Sequence, residues 1–238
     1  MKKHGKKYLA AAAKIDPETS YEPRKALELV KETSFTKFDA TVEVHMRMGL
    51  DPTQADQQVR DVVLMPHGLG KTMRVLVFTQ GEGVGLAKQG GADFIAEDDE
   101  TINKIAGGWT DFDIAIATQD MMGKVGRLGK VLGPRNLMPN PKAGTVVNAQ
   151  DLPRAIQEAK AGKVEFRLDK TANIHVTIGK VSFEANQLYD NFVALVDAIK
   201  KAQPSAAKGT YIKRLTVTST MGPGVRIDVN AALGIEKE

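Results

Sequence analysis

What most restricts the fold of this chain is a pattern that changes and then changes back. Val42, Val44, Met46 and Met48 alternate with Thr41, Glu43, His45 and Arg47, the period of two that marks a half-buried strand. After Pro66-His67-Gly68 the alternation stops. Arg74 to Phe78, Ala92 to Ala96 and Asp113 to Thr118 are short apolar runs separated by segments of helical length. Strand, helix, strand, helix, strand is the order of a parallel sheet with crossover helices. Beyond Ala161-Gly162 the first style returns. Val164, Phe166 and Leu168, then Ile174, Val176 and Ile178, again alternate with polar residues. Two ends that match around a middle that differs are read most economically as one domain inserted into another. The expected fold class is mixed α/β and α+β. A split α+β sandwich domain is expected from residues 1–66 and 160–238, with a parallel-sheet, Rossmann-like α/β domain inserted at 67–159. Both crossings fall at glycine-containing junctions, which suits a hinge.

The flanks also supply helices for the split domain. One is expected to start at Ser20, with Pro23 in its first turn and Ala26, Leu27 and Val30 on one side. Another runs from about Phe183 to Ala202, with Leu188, Phe192, Leu195, Val196 and Ile199 at helical spacing. Val59 to Met65 reads as a further strand. The C-terminus reads as a hairpin, because Leu215 and Val217, and then Val225, Ile227 and Val229, alternate with polar residues. Its bend, Thr218 to Gly224, carries hydroxyls, a flexible thioether and glycines that let a partner approach the backbone. Gly222 is the residue expected there to need close approach and a positive φ. The bend holds no carboxylate, histidine or lysine, so it suits contact and not catalysis.

Composition narrows the chemistry. The chain has no cysteine, which excludes disulfides and thiolate sites. Its four histidines show no metal-ligand spacing. The apolar run after Lys7 stops at Lys14, too short for a signal-peptide core or a membrane span, so a cytoplasmic protein with no membrane partner is expected. Net charge is only +4, but it is uneven. Residues 1–14 carry five lysines and no acid, and 121–150 carry Lys124, Arg127, Lys130, Arg135 and Lys142 and no acid. Clustered positive charge suits a polyanion recognised locally, although basic runs also occur on ordinary surfaces. Gly81, Gly83 and Gly85 read as a glycine loop after a strand, as in a dinucleotide site, but no glycine stands at 86 where that fingerprint needs its third. The basic Gly/Pro loop at 123–145 lacks Walker spacing, since Gly123-Lys124 is followed by valine. No catalytic cluster stands out, so neither an enzyme nor a cofactor is expected.

Two helices can cover only one face of an antiparallel sheet. The other face would carry Thr41, Glu43, His45, Arg47, Arg167, His175, Thr177, Thr216 and Thr218. It reads either as a solvated face or as one that hydrogen-bonds ribose and phosphate and stacks on bases. Lys37 and Phe38 precede its first strand. Phe38 is either a core residue or an exposed ring resting on a sugar or base.

Several motifs in fixed order resemble one known family. They are Lys37-Phe38-Asp39 with Thr41-Val42-Glu43-Val44-His45, Leu64 through Pro66-His67-Gly68 to Gly70-Lys71, and Gly126-Arg127-Leu128-Gly129. Leu132-Gly133-Pro134-Arg135 with Leu137-Met138-Pro139-Asn140-Pro141-Lys142, Val164-Glu165-Phe166-Arg167 with Asp169-Lys170, and Thr220-Met221-Gly222-Pro223 complete the set. Together they resemble the L-one family of bacterial ribosomal proteins, which sits in the mobile side stalk of the large subunit. The resemblance covers nearly the whole chain and implies the same split architecture. It implies binding to large-subunit rRNA, a role in releasing deacylated tRNA from the exit site, and repression of its own operon mRNA. Other ribosomal components are implied as partners, and a monomer when free. The implied RNA contacts are Lys37, Phe38, Thr41, Arg167, His175, Thr220, Met221 and Gly222, with secondary contacts from Lys124, Arg127, Arg135 and Lys142. Two positions depart from the family pattern. Asn136 stands where glycine is expected, and Gln54 stands where some relatives have arginine.

Overall fold

The computed structural model describes residues 4–235. It is a mixed α/β protein with one antiparallel four-stranded sheet, one parallel four-stranded sheet and a two-stranded sheet. The chain divides into two compact units. One is formed by residues up to Gly70 and from Val164 onward, the other by Lys71–Lys163.

The first unit opens with α1 (Lys6–Ala12), α2 (Pro23–Glu32), β1 (Thr41–Met48) and β2 (Arg60–Leu64). The basic stretch near the N-terminus is therefore helical from Lys6. Its alanines have the highest helix propensity of any residue, and Ala11 is buried. Lys2 and Lys3 lie outside the described residues. α2 starts later than Ser20 because Tyr21 is held extended. The Tyr21 N–H donates to the Arg226 carbonyl at 3.0 Å, and its own carbonyl accepts from the Asp228 N–H at 2.9 Å.

The second unit contains β3 (Val75–Phe78), α3 (Glu82–Gln89), β4 (Phe94–Ala96), α4 (Asp99–Ala106), β5 (Ile114–Thr118), α5 (Met122–Val125), α6 (Gly129–Leu132), β6 (Val146–Val147) and α7 (Leu152–Lys160). Its sheet is parallel in the order β4-β3-β5-β6. Leu76 and Phe78 enter one core with Ile102, Ile105 and Met121, while Val75 and Val77 enter another with Ala87, Ala155 and Ile156. Both faces are covered, which is why these strands read as continuous apolar runs.

Two expectations fail in this unit. The stretch 123–145 is not a simple loop, since it winds through α5, α6 and single helical turns. Met121, Val125, Leu128 and Leu132 recur at helical spacing and are all buried; the intervening glycines mask that period. Nor do three glycines form a loop after β3. Only Gly81 lies in the turn, with φ 60°, and α3 begins at Glu82. Gly83 is inside the helix, where a Cβ would come within 2.0 Å of Thr79 Oγ1.

Back in the first unit come β7 (Lys163–Arg167), β8 (Asn173–Lys180), α8 (Ala185–Lys201), β9 (Ile212–Ser219), β10 (Val225–Ile227) and α9 (Val229–Leu233). The antiparallel sheet has the order β10-β9-β1-β8, and β2 pairs with β7 separately. Val42, Val44, Met46, Ile174, Val176, Leu215 and Val217 are buried in one core with Leu27 and Val30 of α2 and Leu188, Phe192 and Leu195 of α8. Each such side chain contributes about 1.5–3 kcal/mol through removal from water. α8 is started by a capping box between Glu184 and Gln187. Val229 does not extend the final strand. The Asp228 carboxylate accepts from the Asn230 and Ala231 N–H groups and starts α9 there instead.

Candidate nucleic-acid interface

With α2 and α8 on one face of the antiparallel sheet, register sets what stands on the other. Thr41 lies opposite Lys180, and Glu43 lies between Thr177 and Thr218. His45 lies between His175 and Thr216, and Arg47 between Asn173 and Arg214. Arg226 of β10 lies opposite Thr216. The sheet thus brings together every residue expected on the open face except Arg167. That exposed residue ends β7, in the two-stranded sheet with β2. Alternation identified the face of its strand, but nothing in a period of two identifies the partner strand.

At one end of the open face two segments are tied together. The Thr220 N–H donates to the Thr41 carbonyl at 2.9 Å, and the Thr41 N–H donates to Thr220 Oγ1 at 3.1 Å. Lys180 Nζ donates to Thr41 Oγ1 at 2.8 Å. The Thr220 hydroxyl is therefore already engaged within the protein and holds the bend in register. β9 ends at Ser219, and the Gly222 N–H closes a turn onto the Ser219 carbonyl at 2.8 Å. The positive φ of that turn, 67°, belongs to Met221 and not to Gly222, as in the third position of a type II turn. Gly222 has a different requirement: a Cβ there would lie 2.3 Å from Ser219 Oγ. Met221, 70% exposed, projects into solvent. A non-glycine residue in left-handed conformation costs about 1–3 kcal/mol, and such strain collects at functional sites.

Phe38 is at the same end, before β1, and is 58% exposed. The core alternative for this ring is excluded. Its loop is fixed from both sides. Thr36 Oγ1 donates to the Phe38 carbonyl at 3.0 Å, while Asp39 accepts from the Ser182 N–H at 3.1 Å and the Ser182 hydroxyl at 2.8 Å. Lys37 is exposed beside it. A rigid loop holding an exposed ring, next to a strained turn holding an exposed thioether, presents apolar surface at little entropic cost on binding.

Midway along the face, His45 Nδ1 and His175 Nδ1 are 2.7 Å apart. Glu43 Oε2 lies 3.8 Å from His45 Nε2, and Asp169 Oδ2 lies 3.5 Å from His175 Nε2. Burial lowers the His45 pKa, the charge of His175 lowers it further, and Glu43 opposes both. Burial works to raise the Asp169 pKa, yet the N–H groups of Asn173 and Thr171, the Thr171 hydroxyl and His175 hold it at about 2.

Sequence reasoning missed Lys180 and Lys213, and it read Arg214 as an outward residue of its strand without placing it on the open face. A one-residue register shift between Val42 and Glu43 puts Lys180 opposite Thr41, and another between Arg47 and Met48 accommodates Lys213. Bulges of this kind break the period on which the expectation was built. Of the secondary residues, all in the second unit, Arg127, Arg135 and Lys142 are exposed, whereas Lys124 Nζ is in an ion pair with Asp99 Oδ1 at 3.0 Å. Asn136 adopts φ 57°, a conformation asparagine tolerates better than most residues, so the turn that glycine would make is kept. Gln54 Oε1 accepts from Gln57 Nε2 at 2.7 Å. Among the described residues, no group of three or more His, Asp or Glu could hold a metal ion. No helix among them is long and apolar enough to cross a membrane.

Comparison with known proteins agrees with the motif pattern. The model of the ribosomal protein L1p/L10e family matches residues 30–223. Large ribosomal subunit protein uL1 of Chloroflexus aurantiacus is 61% identical over 236 residues, 99% of this chain and 100% of the relative. The protein of the same name from Chloroflexus aggregans is 58% identical over the same length and coverage. A family match across most of the chain, with relatives this similar from end to end, establishes that the chain belongs to the ribosomal protein L1p/L10e family.

Proposed function

We propose that this protein is a structural constituent of the large ribosomal subunit and binds large-subunit rRNA through the open face of its divided unit. The observation that carries this reading is the end of that face. There Phe38 and Met221 are exposed, their segments are fixed by hydrogen bonds, and one is strained. Such a surface suits an A-form helix, whose deep groove side chains cannot read and whose shallow groove offers ribose hydroxyls and shape. Lys37, Thr41, His175 and Gly222 are the further contacts on this face, and Arg167 is a contact from the neighbouring two-stranded sheet. The second unit, Lys71–Lys163, is the inserted domain, and its Arg127, Arg135 and Lys142 make secondary contacts; Lys124 can join them only by leaving Asp99.

A surface that reads shape accepts any RNA of the same shape. The same site therefore binds a stem-loop in the protein's own operon mRNA and represses its translation. In the ribosome, bound in the cytoplasm at the mobile stalk, the protein assists release of exit-site tRNA. Free, it is a monomer. Sequencing the RNA that co-purifies at moderate salt tests the central claim. Reads should concentrate in one region of large-subunit rRNA, with a minor peak in the operon mRNA. Uniform coverage, or the same yield from a Phe38→Ala, Met221→Ala double variant, overturns it.

A further inference from the structure

The open face is not uniform along its strands. About 20 Å from the Thr41 end, at the ~3.4 Å rise of an antiparallel strand, cations gather. His45, Arg47, Asn173, His175, Lys213 and Arg214 line a cavity of about 430 Å³ there. Arg226 joins Lys213 and Arg214 in lining a smaller adjoining cavity. The bulge in β9 produces this concentration. Arg47 pairs with Arg214 and Met48 with Ile212, so Lys213 is the extra residue. Both Lys213 and Arg214 are exposed while Ile212 and Leu215 are buried; in an unbroken strand one of the two would face the core.

The arrangement opposes like charges. Arg47 faces Arg214 across the ladder, a pairing that disfavours the sheet unless an anion lies between, and His45 faces His175. Arg47 is aimed by the Thr171 carbonyl and by Asn173 Oδ1 at 3.5 Å. Among the described residues, the side chains of Lys213 and Arg214 have no ion-pair or hydrogen-bond partner. The acids nearby are Glu43 and Asp169, which flank the histidines, and Asp228, which lines the smaller cavity. Asp169 is occupied by the Thr171 and Asn173 N–H groups, and Asp228 caps α9.

We propose that this cavity is a phosphodiester-binding subsite of the RNA interface, with Arg47, Lys213 and Arg214 as its contacts and the His45–His175 pair adding one positive charge by taking up a proton. In a neutral pair one Nδ1–H donates to the other Nδ1, and the donor ring keeps a bare Nε2. A proton added at that Nε2 leaves the shared bond intact, whereas a second would have to occupy the accepting lone pair and break it. The pair therefore holds one extra charge and not two. In the free protein burial disfavours that charge at His45, as does a charge on His175, while Glu43 favours it. A bound phosphate reverses the balance. Binding is then coupled to proton uptake and tightens as pH falls.

The subsite presupposes that the open face binds RNA, and the test separates the two. Anisotropy titrations use the full chain and a labelled transcript of the large-subunit rRNA stalk region, across salt and between about pH 5.5 and 7.5. Wild-type affinity should rise about fivefold toward the acid end. Arg214→Gln should bind about tenfold more weakly and lower the salt slope by about one. His45→Gln should lose the pH response, its affinity staying level from the alkaline to the acid end, with His4 and His67 unchanged as internal controls. Lys213→Ala serves as a second contact variant, and thermal melts check both for folding. If Met221→Ala weakens binding while both cation variants keep wild-type affinity and slope, the subsite fails and the open-face reading stands. If none of the three weakens it, both fail. A pH response that survives in His45→Gln overturns the role of the pair.

Discussion

The two four-stranded sheets of this protein show how coverage decides what a sheet can do. The parallel sheet of the second unit is buried on both faces, with all four residues of β3 inaccessible. Only its rims and connecting turns remain for other molecules. The antiparallel sheet is covered on one face by α2 and α8. Its other face presents rows of threonine, histidine, arginine and lysine in fixed register. A covered sheet spends its side chains on stability. A half-covered sheet has one face free for recognition, at positions where substitution costs the fold little. The largest test of this difference is Phe78→Ala, which removes a fully buried side chain from the parallel sheet. It should destabilise the second unit by about 3–5 kcal/mol, whereas Thr177→Ala on the open face should stay within about 0.5 kcal/mol. Urea denaturation of both variants measures the gap. Similar losses would mean that the open face is structural after all.

The contrast sharpens at Met221, where stability and recognition should pull apart. Glycine adopts φ 67° without the steric cost that methionine bears there. Met221→Gly should therefore raise folding stability by about 1 kcal/mol while weakening RNA binding, because the exposed thioether is lost. A melt and an affinity titration on the same preparation decide it. A variant that gains stability and keeps full affinity would make Met221 an ordinary turn residue.

The two units also differ in how much the sequence revealed. Alternation in β1 and β8 fixed the inward and outward residues of the antiparallel sheet, because a period of two follows directly from one-sided burial. Apolar runs likewise announced β3 and β5. What escaped was whatever a single inserted residue or a neighbouring strand decides. The bulges that expose Lys213 and seat Lys180 leave no mark on residue types. The pairing of β7 with β2, which takes Arg167 out of the main sheet, depends on contacts remote in sequence. The positive φ of Met221 escaped for another reason. Positive φ is normally read from glycine, and here the glycine beside it is needed for space and not for its backbone angle. Around 123–145, glycines at three-residue spacing hid a helical apolar period that the fold uses.

A smaller effect should separate Asp169 from the acids of the second unit. Its carboxyl titrates at about 2, against an ordinary value of 3.8, because backbone and hydroxyl donors favour the charged form. A depressed folded pKa means that the stabilisation is complete above the unfolded pKa and is lost as pH falls through the folded one. For Asp169 that window runs from about pH 4 down to about 2. Asp169→Asn should be less stable than wild type at neutral pH, and the gap should close across that window. Denaturation midpoints at a series of pH values follow it. A gap that stays constant would show that the 169–173 turn draws nothing from the charge.

The smallest expected effect is at Lys124, and it bears on the comparison because this residue belongs to the most basic stretch of the covered unit. Its ammonium lies 3.0 Å from Asp99 Oδ1, with the two side chains 42% and 79% exposed. An exposed pair of this kind gains modest Coulomb energy, is screened by salt and restricts two mobile side chains, so it is worth at most about 0.5 kcal/mol. Lys124→Ala should therefore hardly move the melting temperature. Its RNA affinity should fall by less than that of Met221→Ala, because any phosphate that Lys124 contacts has to compete with Asp99. Asp99→Asn provides the complementary measurement, since it releases Lys124 without removing it. If that release tightens RNA binding while Lys124→Ala weakens it, the ion pair restrains a secondary contact on the second unit. If Lys124→Ala instead costs more affinity than Met221→Ala, recognition has to be assigned to the rim of the covered sheet and not to the open face.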